Sequence, residues 1–346
     1  MSPAKDLEDE DALPHPRETS AFFGHADAEQ TLLDAYRSGR VPHAWLIGGE
    51  PGIGKATLAY RMARFVLAHP DPTAPAVQRA TSLAIAPDHP VARRIAGQAH
   101  SDLLTMERTF NDKGKLRQDI AVDDVRRSVS FFGSTAGEGG WRVAVVDSVD
   151  ELNSAGANAL LKVVEEPPPR ALLLLVSHSP GRVMPTIRSR CRKLMLRPLP
   201  VEDVVRAAAI ALGKSADEET MAVAAAAAEG SVSRALMFLE GPALALRQQV
   251  LGLLDKLPQV DPRALHSLGD KLGGTEAETL AAFMDTVNSW LSARLASGPQ
   301  DAARMARVAE AWAKVNRAGQ ETDEYNLDRK PFVFAVFGAL AEAARD

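Results

Sequence analysis

Between Ala44 and about Pro200 the chain alternates two textures: short unbroken apolar runs, and longer stretches with an apolar residue every third or fourth position. That alternation predicts a parallel β-sheet with crossover helices. AWLIG (Ala44 to Gly48) is the first apolar run and ends in a glycine-rich turn, after which KATLAYRMARFVLA has helical spacing. SDLLTMER (Ser101 to Arg108) reads as the next strand, and IAVDDVRRSVSFFG (Ile120 to Gly133) as a helix opened by acids that suit its positive end. WRVAVVDSVDEL (Trp141 to Leu152) is a buried strand leaving into a polar turn. NSAGANALLKVVEEPPP is a helix capped by Asn153 or Ser154 and stopped by three prolines. ALLLLVSHSP (from Ala171) and CRKLMLRPL (from Cys191) supply the last strands. The segment from His69 to His100, rich in Pro and Ala, has no clear period and reads as an irregular insertion.

After Pro200 the strand pattern stops. Ala- and Leu-rich helical stretches run to the end, punctuated at Gly213, Glu229, Gly241, Asp261 and Ser297. The expected organisation is an acidic tail (1–13), an α/β domain (14–198), a small helical lid (199–242) and an all-α C-terminal domain (243–346).

Composition narrows the function classes. The 346 residues suffice for two or three domains with a real core. The net charge of −5 is mostly local, because the first thirteen residues hold five acids against one lysine. They read as a solvated, disordered tail, and the near-neutral remainder offers no general basic field for nucleic acid. No signal peptide and no apolar run of membrane-spanning length is visible, so a cytoplasmic protein is expected. The single cysteine rules out an internal disulfide or a Cys-based zinc site, and the eight histidines show no metal spacing; His43 and His178 read as structural or solvated.

GGEPGIGKAT (Gly48 to Thr57) carries the chemistry. Gly49, Gly54 and Lys55 fit the phosphate-loop pattern, with Glu50, Pro51, Gly52 and Ile53 between them. Such a loop between strand and helix turns backbone N–H groups toward a phosphate at the helix N-terminus, and the lysine reaches the β and γ phosphates. The next residue should supply a Mg²⁺-binding hydroxyl but is Ala56. Thr57 sits about 100° further round the helix and does not substitute automatically. Asp147 ends the apolar run VAVVD, where an acidic metal partner is expected, and Ser148 follows it. Binding should therefore survive better than hydrolysis.

In order along the chain, these segments resemble bacterial DNA polymerase III clamp-loader subunits of the AAA+ class, in particular the delta-prime branch. The likeness rests on GHADAEQTLLDAYRSGRVPHAWLI, the phosphate loop, SDLLTMER, IAVDDVRR, VVDSVDELNSAGANALLKVVEEPPP, TIRSRCRKL and EGSVSRAL. It implies a AAA+ α/β domain, a helical lid and a C-terminal collar. It places Ser189, Arg190 and Cys191 on the family's Ser-Arg-Cys motif, with Arg190 offered in trans to a neighbour's ATP and Cys191 a small buried residue. Active relatives follow the strand-end Asp with a Glu that orients water; here Ser148 stands there. Ser177 matches the first sensor, and Ser231 with Arg234 the second. The implied role is a non-hydrolysing subunit, part of the polymerase holoenzyme by membership, with idle ATP or ADP binding possible and no zinc. Its implied partners are gamma/tau and delta subunits, the sliding clamp, and primed DNA through weak phosphate contacts. Two alternatives stand beside it: an active gamma- or tau-like motor using Thr57 and Asp150, and an unrelated phosphate-loop nucleotide kinase.

Overall fold

The computed structural model describes residues 14–110, 117, 119–133, 137, 140–213, 218–239, 243–273, 277–297, 301–325 and 327–344; the acidic tail lies outside them. The chain divides into two units, residues 1–236 and 237–346.

In the first unit five strands form one sheet: β1 (Ala44–Gly48), β2 (Leu103–Glu107), β3 (Arg142–Asp147), β4 (Ala171–Ser177) and β5 (Arg192–Met195). Every pairing is parallel, in the order β2-β3-β4-β1-β5. The near-continuous apolar strands follow from burial on both faces. Trp45, Ile47, Leu172, Leu174 and Val176 enter one core, with Tyr36 and Phe65. Ala44, Leu46, Leu173 and Leu175, one residue out of phase, enter the other with Phe132 and Leu160. Each fully buried Leu, Ile or Val contributes about 1.5–3 kcal/mol.

The helices of this unit are α1 (Ala26–Arg37), α2 (Lys55–Ala68), α3 (Pro75–Arg79), α4 (Pro90–Ala96), α5 (Val122–Gly133), α6 (Ser154–Glu165), α7 (Pro185–Arg188), α8 (Val201–Leu212) and α9 (Glu218–Ala227), with α10 (Val232–Leu239) running across the division. The Asn153 side chain caps α6 by accepting from the Gly156 amide at 2.9 Å. The expected irregular insertion is corrected here: it contains α3 and α4, each with proline in its first turn, and Val77, Leu83, Val91 and Ile95 join the core. Proline there starts a helix because its missing N–H has no partner to lose.

The second unit contains α11 (Ala243–Leu254), α12 (Pro262–Gly273), α13 (Ala277–Ser297), α14 (Ala302–Glu324) and α15 (Arg329–Ala344). Its core is built on residues such as Leu268, Phe283, Val333 and Phe337. Among the described residues no helix is long and apolar enough to cross a membrane.

Candidate functional site

Parallel strands all present their carboxyl ends on one side of a sheet, where α/β proteins place their sites. Gly48 stands opposite Ser177 and Met195, and Glu107 opposite Asp147. At that edge the phosphate loop lies between β1 and α2. Gly52 and Gly54 adopt φ of 75° and 93°, the left-handed region that side chains resist. The loop borders a cavity of about 660 Å³ whose walls include residues 51–57, Asp147 and His178. Phe22, Phe23, Ile210 and Leu236 add apolar surface to it. Size and lining suit a nucleotide: loop amides, a lysine and apolar side chains share its walls.

Lys55 is the cation of this cradle, and it is almost completely buried. Its ammonium donates to the loop's own Glu50 carbonyl. Burial pulls its pKa down to about 8, although Asp147, Asp150 and Glu50 oppose the shift. Burial also raises the Asp147 carboxyl above the usual range, with nearby Glu107 adding to the effect. A phosphate arriving here would favour the charged form of Lys55 and oppose the effect of burial.

The two positions expected to serve hydrolysis carry Ala56 and Ser148. Ala56 lines the cavity without a hydroxyl, and Thr57 lines it as well. Ser148 is buried, and its hydroxyl has no partner among the described residues. The Asp150 carboxylate is committed: its two oxygens accept the amides of His178 and Ser179, each at 3.0 Å. That double bond fixes the turn after β4. His178 itself is held neutral, its pKa pushed down to about 4 by burial and then by Lys55.

The start of α10 packs directly on the loop. The Val232 amide donates to the Gly52 carbonyl at 2.8 Å, and a Cβ on Gly52 would meet the Ser231 hydroxyl at 2.2 Å. Arg234 is turned to the end of α9, where Nη1 meets the Ala228 carbonyl at 3.2 Å and Glu229 at 3.3 Å. It therefore lies with the turn before α10, while Val232, Ser233 and Leu236 line the cavity. Ser177 is fully buried at the end of β4, its hydroxyl unpartnered among the described residues; its neighbours Val176 and His178 line the cavity.

The Ser-Arg-Cys segment lies after α7 and forms no part of the cavity wall. Arg190 is 40% exposed, paired with Glu165 through Nη2 at 2.8 Å, and Nη1 donates to the Thr186 carbonyl at 3.0 Å. Ser189 is exposed and donates to the same carbonyl at 3.1 Å. Cys191 is buried, and burial pushes its thiol up to about 11, so it has no reactive thiolate at neutral pH. It packs in the second core face as a small buried residue.

With this geometry in view, the protein family described as DNA polymerase III, delta subunit, matches residues 24–200, just over half of the chain. The chain belongs to that family. The match begins just before α1 and ends just after β5, spanning the sheet just described. A DNA polymerase III subunit delta' of Pseudomonas aeruginosa is 36% identical over 149 residues, covering 43% of this chain and 41% of that protein. Its namesake in Escherichia coli is 32% identical over 183 residues, covering 51% and 48%. A gamma/tau subunit of Mycobacterium tuberculosis is 30% identical over 188 residues, covering 54% of this chain and 29% of that protein. The chain thus matches only about half the length, or less, of these relatives.

One functional element was not read from the sequence: the segment 14–23, which covers α2 and walls the cavity. Arg64 holds the carbonyls of Arg17 and Thr19 at 2.9 and 2.6 Å, and Arg61 holds that of Ser20 at 2.7 Å. At its start, His15 and Arg17 meet Glu107 at 3.1 and 3.0 Å. Only Phe22 and Phe23, adjacent aromatics in a polar stretch, could have signalled it. No cluster of three or more His, Cys, Asp or Glu able to hold a metal occurs among the described residues.

Proposed function

We propose that this chain works in the cytoplasm as a delta-prime-type subunit of the DNA polymerase III clamp loader, holding a nucleotide site that does not hydrolyse. It stands in a ring with gamma/tau and delta subunits, and its C-terminal helices serve as the collar that joins them. The assembly opens the sliding clamp and sets it on primed DNA. Arg190 reaches the ATP of a neighbouring motor subunit, where a guanidinium beside the γ-phosphate stabilises charge spreading over the transferring group. ATP or ADP would rest in this chain's own cradle on the loop amides and Lys55, with Asp147 facing the metal side.

One observation supports this above the rest. The cradle and cavity are intact, yet Asp150, the acid nearest the missing Glu, is committed to two backbone amides. A motor role of the gamma/tau kind needs Asp150 free and Thr57 on the metal, and the kinship with gamma/tau subunits keeps that reading in play. Two assays separate them. The isolated chain should show no Mg²⁺-dependent ATP turnover. A reconstituted loader carrying Arg190→Ala should assemble and turn over ATP more slowly; appreciable turnover by the isolated chain favours the motor reading, and unchanged turnover by the variant loader removes the trans arginine.

A further inference from the structure

Glu165 is the last residue of α6, and its carboxylate meets Arg190 Nη2 at 2.8 Å. The two side chains are 41% and 40% exposed, so the pair sits at the surface. Its place on the helix is odd. A carboxylate in the last turn faces the negative end of the helix dipole, where a cation is favoured, and Glu166 adds a second acid at once. Glu165 thus gains nothing from its own helix; the partner that suits it is Arg190.

We infer that Glu165 is the positioning residue for Arg190. This rests on the trans role proposed above. The guanidinium is a rigid planar fork of five N–H donors. Thr186 accepts one from Nη1, and the Glu165 carboxylate pairs with Nη2 at 2.8 Å, which together restrain the group and leave donors for an anion from outside. An unheld arginine at the surface samples many rotamers and loses that freedom when it engages phosphate. A guanidinium held in advance loses less. A surface ion pair is also a weak tether, so the fork can still adjust when a triphosphate arrives. Pro167, Pro168 and Pro169 follow Glu166 directly and stiffen the chain that leaves this end of α6.

The test uses the full loader, reconstituted with gamma/tau and delta subunits, and reads ATP turnover against ATP concentration. Glu165→Ala is expected to lower kcat by about tenfold, short of the roughly 10²-fold that gross misplacement of a group costs, with KM for ATP unchanged. Glu165→Gln, which keeps an acceptor for Nη2, recovers part of the loss. In the Arg190→Ala background, Glu165→Ala has no further effect, because the group it positions is gone. Wild-type kcat for Glu165→Ala, with Arg190→Ala still slow, overturns the positioning role and leaves the trans arginine standing. Wild-type kcat for Arg190→Ala removes the trans role itself. An added loss in the double variant shows Glu165 acting by another route and likewise overturns the inference. A melting temperature for Glu165→Ala equal to wild type separates positioning from folding.

Discussion

Two cations of the first unit occupy opposite situations. Lys55 is sealed in its cradle, bonded to its own loop and pulled toward neutrality. Arg190 stands half in solvent, braced by a carboxylate, with donors to spare. Burial weakens a lysine as a charge but leaves an arginine charged, since its pKa is far higher. The contrast teaches where chemistry can still be done. On the proposed function, the cradle keeps a binding shape without a hydroxyl at Ala56, whereas the exposed corner offers a permanent charge to another chain.

The largest expected effect sharpens the Arg190 side. Arg190→Lys keeps the charge and loses the fork, so turnover by the reconstituted loader should fall toward that of Arg190→Ala, about 10³-fold or more at the affected site. Full activity in Arg190→Lys would reduce the role to simple charge.

The next effect belongs to Lys55. Its folded-state pKa of about 8 lies below the ordinary 10.5, so charging it in the folded protein carries a penalty. That penalty is complete below pH 8 and fades as the pH rises toward 10.5, because the folded protein releases the proton before the unfolded chain does. Lys55→Met should therefore stabilise the protein at pH 7, by about 2–3 kcal/mol in chemical denaturation, with the gain shrinking across that window. A gain that grows with pH contradicts the assignment.

Asp150→Ala comes third. It leaves the His178 and Ser179 amides without their acceptor and should cost about 2 kcal/mol of stability. Isolated Asp150→Ala with unchanged stability would return Asp150 to the candidate motor groups. The smallest effect is at the loop: Gly52→Ala strains a residue at φ 75° and presses on Ser231, costing about 1–2 kcal/mol by the denaturation midpoint. Ser189→Ala, at the exposed corner, should stay within about 0.5 kcal/mol.

Much of the sheet was legible because β1, β3 and β4 are buried on both faces and bounded by strong punctuation. AWLIG marks β1 from end to end, and the Asn153 cap is written beside the helix it starts. The insertion was misread because α3 and α4 span 5 and 7 residues, too few turns for a period, and their prolines resemble breaks. Local motif chemistry exposed the blanks at Ala56 and Ser148. The contacts that decide the site were invisible for a different reason. Asp150 with His178, Glu165 with Arg190, and Arg64 with Arg17 join residues far apart in the chain, and no local pattern encodes such a pairing.

The most direct measurement sets the two cations against each other: ATP turnover by reconstituted loaders in which this chain carries either Lys55→Ala or Arg190→Ala, assayed side by side with primed DNA and clamp. The account predicts wild-type turnover with Lys55→Ala and a severe loss with Arg190→Ala. The reverse, a loader stopped by Lys55→Ala and indifferent to Arg190→Ala, would mean that this chain consumes its own nucleotide, and would contradict it.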